Sequence, residues 1–173
     1  SRSKAGPAVA FSYTSPDGEE GYPGTLAAAV TYSLTEEDGV RIDYGATVDK
    51  PTPLNLTNHS YFNLAGGGDV FEHEVRLLAR EYTERGEEGI PTGAILDVAG
   101  TPFDFTMGRA IGEHIDQLEV GYDHNFVLDH GGGATAELSA EVFEPSTGRL
   151  MQLYTTQPGV QLYTAYYLGS VAG

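Results

Sequence analysis

Apolar and polar side chains alternate with a period of two along much of this chain, the pattern of half-buried β-strands. The clearest case is a pair of runs divided by an acidic turn. Leu26, Ala28, Val30, Tyr32 and Leu34 share one face, with Thr25, Thr31 and Ser33 opposite. Val40, Ile42, Tyr44, Ala46 and Val48 repeat the arrangement against Arg41, Asp43, Thr47 and Asp49. Glu36-Glu37-Asp38-Gly39 between them predicts a hairpin turn. Upstream, residues 9–13 form a shorter apolar run. Residues 15–24 then read as an acidic, glycine-rich loop opened by Pro16-Asp17-Gly18, where Pro presets φ and Gly accepts a positive one.

Downstream, the same reading predicts strands over 74–79 and 95–98, with a turn at Ile90-Pro91-Thr92-Gly93 between them. Residues 81–89 are highly charged and read as a loop. One helix is expected, around residues 109–117. Residues 121–128 read as a loop entering a strand. Residues 134–143 alternate again, with Leu138, Ala140 and Val142 against Glu137, Ser139 and Glu141. Pro145-Ser146-Thr147-Gly148 closes a hairpin onto 150–156, and Gln157-Pro158-Gly159 turns into a last strand over 160–168. Short strands, short turns and almost no helix predict an all-β, antiparallel β-sandwich. No internal repeat or low-complexity linker divides the chain, so residues 1–173 are read as one domain.

One stretch breaks the usual alternation. In Pro53-Leu54-Asn55-Leu56-Thr57-Asn58-His59-Ser60-Tyr61-Phe62-Asn63, an extended backbone sends Leu54 and Leu56 one way. Asn55, Thr57, His59 and Tyr61 then point the other way. The segment reads as a buried strand whose polar row offers amides, a hydroxyl, an imidazole and a phenol. Such a row suits a cleft that grips a polyhydroxylated ligand. A surface strand ending in an Asn/Ser turn accounts for the same residues equally well.

Composition narrows the classes. The 173 residues are 40% hydrophobic and 20% charged, a globular balance with enough apolar material for a real core. The 23 glycines and 9 prolines fit many turns, and 11 Tyr with 7 Phe fit strands. With no cysteine there is no disulfide, thiolate catalysis or Cys-ligated zinc, and the redox compartment stays open. No apolar run is long enough to cross a membrane as a helix. A net charge of −16 repels phosphate backbones and anionic lipid, so neither nucleic acid nor membrane is expected as a partner. The acidic excess fits solubility, and a cytoplasmic location is expected.

Three clusters could carry chemistry. His59 can give or take a proton near neutral pH, and Asn55, Thr57 and Tyr61 can orient it; a structural histidine is the competing reading. Asp123-His124-Asn125 places a carboxylate at a strand mouth, where it can accept paired hydroxyl hydrogen bonds or simply form an Asx turn. Gln161 shares a strand face with Tyr163, again suited to hydroxyls. His59, His73, Asp123 and His124 lack metal-ligand spacing, and no phosphate loop, dinucleotide fingerprint or nucleophile elbow is present. Two sequons, at Asn55 and Asn58, are set aside because the stretch reads as buried.

Residues 52–66 resemble the signature of the aldose 1-epimerases, the galactose mutarotases. Residues 15–24, Ile90-Pro91-Thr92-Gly93, Gly121-Tyr122-Asp123-His124-Asn125-Phe126 and 155–161 carry the same likeness, in the family's order and across nearly the whole chain. The resemblance implies an antiparallel sandwich of the galactose-mutarotase type, truncated here at both ends. It implies cofactor-free interconversion of the α and β anomers of an aldohexose such as galactose or glucose. His59 matches the family histidine that protonates the ring oxygen. Ser60, Tyr61 and Phe62 fall in the segment lining the sugar site, and Asp123 and Gln161 match sugar-binding residues. The family's carboxylate base lies beyond the glutamine strand and has no match here. The chain thus keeps the acid and lacks the base. Its 164–168 segment also departs from the family's Gly-Asn pair. A monomer or weak dimer is expected at full length. A non-catalytic sugar-binding module and a hexose-phosphate relative are the competing functions.

Overall fold

The computed structural model describes residues 5–165. These residues form eleven strands in three antiparallel sheets, with two short 3-10 segments. Contacts divide the chain into two compact units, Ser1–Ser60 and Tyr61–Gly173.

The first unit is a meander of β1 (Ala5–Ser15), β2 (Leu26–Thr35) and β3 (Val40–Val48). The predicted hairpin is present in the register that its pattern requires. Val30 pairs with Phe11 and Tyr44, and Tyr32 pairs with Val9 and Ile42, so the apolar residues of all three strands share one face. The turn at Glu36–Gly39 closes because Asp38 adopts φ 56° and the Thr35 hydroxyl oxygen accepts the Gly39 N–H. The apolar face is open: Phe11 is 58% exposed, Tyr13 60% and Val40 64%. The acidic loop before β2 coils into a 3-10 turn at Glu19–Gly21. There the Asp17 carboxylate accepts the Gly24 N–H and pairs with Lys50.

The second unit holds two four-stranded sheets. One has the order β10 (Arg149–Thr155), β9 (Glu137–Glu144), β4 (Glu74–Leu77), β7 (Arg109–Ala110). The other runs β11 (Gly159–Tyr163), β8 (Asp123–Val127), β5 (Glu81–Arg85), β6 (Pro91–Asp97). Both sheets feed one core. Val75, Leu77 and Ala140 come from the first sheet and Phe126 from the second, and Phe105 and Tyr122 are fully enclosed among them. Alternation is strict in β4, where Val75 and Leu77 are buried and Glu74 and Arg76 exposed.

Several elements differ from the sequence reading, each for a local reason. Residues 81–85 form strand β5, in the interior of its sheet, rather than a loop. The β-formers Tyr82 and Thr83 outweigh the charges, and Tyr82 stacks on Phe103 at 4.3 Å between ring centroids. The turn therefore falls at Gly86–Gly89, and Pro91 opens β6 instead of closing a loop. The expected helix is a 3-10 segment, Ile111–Gln117, interrupted at His114. Gly112 sits so close to Phe71 that an added Cβ would lie 2.9 Å from the Phe71 Cβ. The Gly112 and Ile111 N–H groups bond Phe71 and His73 carbonyls, tying this end to its neighbour. The final strand ends at Tyr163, and residues 166–168 of the predicted strand lie outside the described residues.

The largest correction concerns residues 51–63, which have no regular secondary structure and are largely exposed. Pro51 and Pro53 remove two ladder donors. Asn side chains then capture the backbone groups that a strand would use. Asn58 Oδ1 accepts the Ser60 N–H at 3.0 Å, and Asn63 Oδ1 accepts the Ala65 N–H at 3.0 Å. The segment is a surface loop built on Asx turns, so the buried-strand reading fails.

Candidate functional site

Strands β5, β8 and β11 lie side by side and define two chemically distinct faces. Tyr82 pairs with Phe126, and Phe126 with Val160. These residues, with Leu162, turn to the core. The opposite face is polar. Tyr163 stands across from Asp123 and Gln161 across from Asn125, so all four share this side. Strand β5 pairs with β8 through Glu81–Val127 and Tyr82–Phe126, and its last residue, Arg85, reaches the Asp123 carboxylate.

The Asp123 carboxylate is held from two sides. Gln161 Nε2 donates to Oδ1 at 2.8 Å, and Arg85 Nη2 lies 3.4 Å from Oδ2. About a quarter of each ion-pair partner stays exposed, 24% for Arg85 and 26% for Asp123. A carboxylate has about four acceptor positions, so the fixed Asp123 retains lone pairs for hydroxyl donors. Its backbone is fixed as well. The Tyr122 N–H donates to the Thr164 hydroxyl at 3.1 Å, and the Thr164 N–H returns to the Tyr122 carbonyl at 3.0 Å. Gly121 is required here: its φ is +67°, and a Cβ would fall 2.6 Å from Thr164 Oγ1.

His124 takes no part in this polar face. Its ring packs on Phe103 at 4.4 Å and edge-on to Tyr82 at 6.1 Å. Burial lowers its pKa, the nearby Arg85 charge lowers it further, and Asp123 opposes both. The imidazole packs against these rings and its Nδ1 accepts the Asp123 N–H at 3.2 Å, and Asp123 belongs to a strand rather than to an Asx turn.

The structure brings Asp123 and Gln161 into direct contact. Tyr61 adjoins the same region, its ring 6.1 Å from that of Tyr163, and Phe62 beside it is 60% exposed. His59 and Ser60 belong to the first unit. Both are exposed, within the turn that Asn58 builds; Asn58 Nδ2 also donates to the Tyr32 hydroxyl at 3.1 Å.

Sequence reasoning missed two features. Arg85 was hidden inside a run read as a charged loop, although Tyr82-Thr83 already signalled a strand. The other is a clamp on Leu64. The buried His73 accepts the Leu64 N–H through Nε2 at 2.9 Å. Arg149 Nη1 donates to the Leu64 carbonyl at 2.6 Å, and the Thr147 hydroxyl donates to it at 3.2 Å. Both Leu64 backbone groups are thereby fixed, the N–H to the residue before β4 and the carbonyl to the β9–β10 turn and the start of β10. Among the described residues no three carboxylate or imidazole groups gather to hold a metal ion. No helix among them is long and apolar enough to cross a membrane.

The described residues define an all-β protein of antiparallel sheets, with a carboxylate–amide pair on a polar sheet face. The family model for aldose 1-epimerase matches residues 1–172, and the chain belongs to that family. Rat galactose mutarotase is 46% identical over 169 residues, covering 95% of this chain and 48% of the relative. Aldose 1-epimerase of Escherichia coli K12 is 42% identical over 167 residues, with coverage of 93% and 48%. Among solved structures, an aldose epimerase homologue from C. elegans superposes with a TM-score of 0.82 at 30% identity, covering 94% of this chain and 51% of that one. Galactose 1-epimerase from Lactobacillus acidophilus gives 0.79 at 29% identity, covering 92% and 47%. The antiparallel all-β architecture is therefore that of the galactose mutarotases. The chain spans about half the length of the curated relatives it matches.

Proposed function

We propose that this chain supplies the general acid and the sugar-binding residues for aldose 1-epimerisation. In this reading the two units form part of one galactose-mutarotase-like domain, a reading supported by the single family match across both. The substrate is a free aldohexose such as galactose or glucose, and no cofactor takes part. Ring opening needs a proton placed on the ring oxygen and one removed from the anomeric hydroxyl. His59 gives the first proton. Asp123 and Gln161 bind sugar hydroxyls, with Ser60, Tyr61 and Phe62 lining the sugar. No residue here matches the family's carboxylate base, so the chain alone is expected to be nearly inactive. The protein acts in the cytoplasm without nucleic acid or membrane, as a monomer or weak dimer.

The observation that carries this reading is the Asp123 carboxylate held by Gln161 at 2.8 Å on an exposed polar face, within a matching family segment. Polarimetry of freshly dissolved α-D-galactose tests it in a family-length protein containing this chain. Accelerated relaxation of the optical rotation to its equilibrium value is expected, slowed by His59→Asn. A protein that binds galactose yet never accelerates mutarotation would be a sugar-binding module instead. One that binds no hexose would refute both readings.

A further inference from the structure

Beyond an ion pair with Asp123, the Arg85 guanidinium leaves its donors unused among the described residues. Its one ion-pair partner among the described residues is Asp123, at 3.4 Å, and it makes no hydrogen bond to any of them. Arginine carries five N–H donors in a fixed planar fork. The guanidinium packs against the Gly89 backbone. It lies over the bare α-carbon of Gly89, where an added Cβ would fall 2.8 Å from Nη2 and 3.2 Å from Nε. Gly89 holds φ +77°, and the Gly86–Gly89 turn is closed by the Gly89 N–H on the Gly86 carbonyl at 2.9 Å. The hairpin between β5 and β6 thus forms a seat for this side chain, opposite the carboxylate that Gln161 orients from the other side.

We propose that Arg85 is a further substrate-binding and specificity residue, which donates to a sugar oxygen next to the hydroxyl accepted by Asp123. The proposal rests on the sugar-site reading above. A carboxylate and a guanidinium side by side present an acceptor and a donor at the spacing of a vicinal diol. One hydroxyl gives its proton to Asp123, and the oxygen of its neighbour takes a hydrogen bond from Arg85. The pair therefore reads the presence of two adjacent hydroxyls on a neutral ring. A bond from a charged donor is stronger than one between neutral groups. Loss of either ligand oxygen leaves a partly dehydrated partner without its mate.

The test measures binding of galactose and of its single-position deoxy analogues by NMR titration of a family-length protein containing this chain. Wild type is compared with Arg85→Met, which keeps the apolar stem, and Arg85→Lys, which keeps the charge without the fork. Wild type is expected to bind galactose, with Arg85→Met weaker by about tenfold or more and Arg85→Lys between them. One deoxy analogue is expected to bind worse than galactose in wild type and equally well in Arg85→Met. Unchanged amide dispersion shows that the variants are folded, and Arg85→Lys carries the test if Arg85→Met is not. Galactose binding that is equal in all three proteins, or deoxy penalties identical in wild type and variants, overturns the role of Arg85 and leaves the sugar site standing. A folded wild type that binds no hexose overturns the sugar site itself and this proposal with it.

Discussion

Removing the Asp123 carboxylate probes the polar face at its centre. In the structure this group does three things: it accepts from Gln161 at 2.8 Å, balances Arg85 at 3.4 Å, and offers its remaining lone pairs outward. Asp123→Ala abolishes all three. Loss of a charged acceptor for sugar hydroxyls costs about 1–3 kcal/mol, roughly a 5- to 150-fold weaker dissociation constant. The fold should tolerate the change, because Arg85 is about a quarter exposed and Gln161 is exposed, so water replaces the carboxylate for both. Asp123→Asn keeps one carbonyl acceptor while losing the charge, and is expected to fall between wild type and alanine. Calorimetric titration with galactose gives the affinities, and a denaturant curve on each variant checks stability. An unchanged affinity in a stably folded Asp123→Ala protein would refute direct contact with the sugar. A loss in KM-like terms is expected to exceed any loss in turnover, since the group binds rather than transfers protons.

Three further outcomes are expected. His59→Asn in a family-length protein should slow anomerisation by about 10²- to 10⁴-fold, the range for one acid–base group, as read by polarimetry; a loss below about tenfold removes His59 from the acid role. Tyr122→Phe deletes a fully buried hydroxyl that donates to the Pro102 carbonyl at 2.9 Å. Because Arg109 also donates to that carbonyl, the cost should stay near 1 kcal/mol, a fall of about 2–4 °C in Tm. Glu144 caps the turn between β9 and β10, accepting the Thr147 N–H at 2.7 Å and the Ser146 N–H at 3.1 Å. Thr147 first, then Ser146, hold its pKa down to about 2 from an ordinary 4.5, against the upward push of burial. Its contribution is therefore present in full above pH 4.5 and is lost as pH falls toward about 2. Glu144→Gln should flatten that part of the acid-unfolding curve, and an identical acid limb in both proteins would contradict the assignment.

The hairpin of β2 and β3 was legible because five apolar residues per strand repeat at a strict period of two around an acidic turn. β4 and β9 were legible for the same reason. β5 was not, because Glu81, Glu84 and Arg85 mask a strand whose fixing contacts come from Phe103 and from β8, distant in sequence. The signature loop was misread in conformation for the opposite reason. Its Leu54 and Leu56 alternate correctly, yet two prolines and the Asn58 and Asn63 side chains decide the backbone locally. Asp123 and Gln161 were legible as candidates from the family likeness and the strand-face argument. Their pairing needed the β8–β11 register, and Arg85 joined them only through its ion pair with Asp123 once β5 was placed beside β8.

The central claim is that the polar face around Asp123 and Gln161 receives an aldohexose. The most direct measurement is an NMR titration of the isotopically labelled chain with D-galactose, following the Gln161 side-chain amide and the backbone amides of β8 and β11. The account predicts saturable shifts centred on Asp123, Gln161 and Tyr163, absent for the buried Phe105 and Val75, and saturating only at higher galactose concentration in Asp123→Ala. A folded chain whose β8 and β11 signals stay still while galactose binds elsewhere, or does not bind at all, would contradict it.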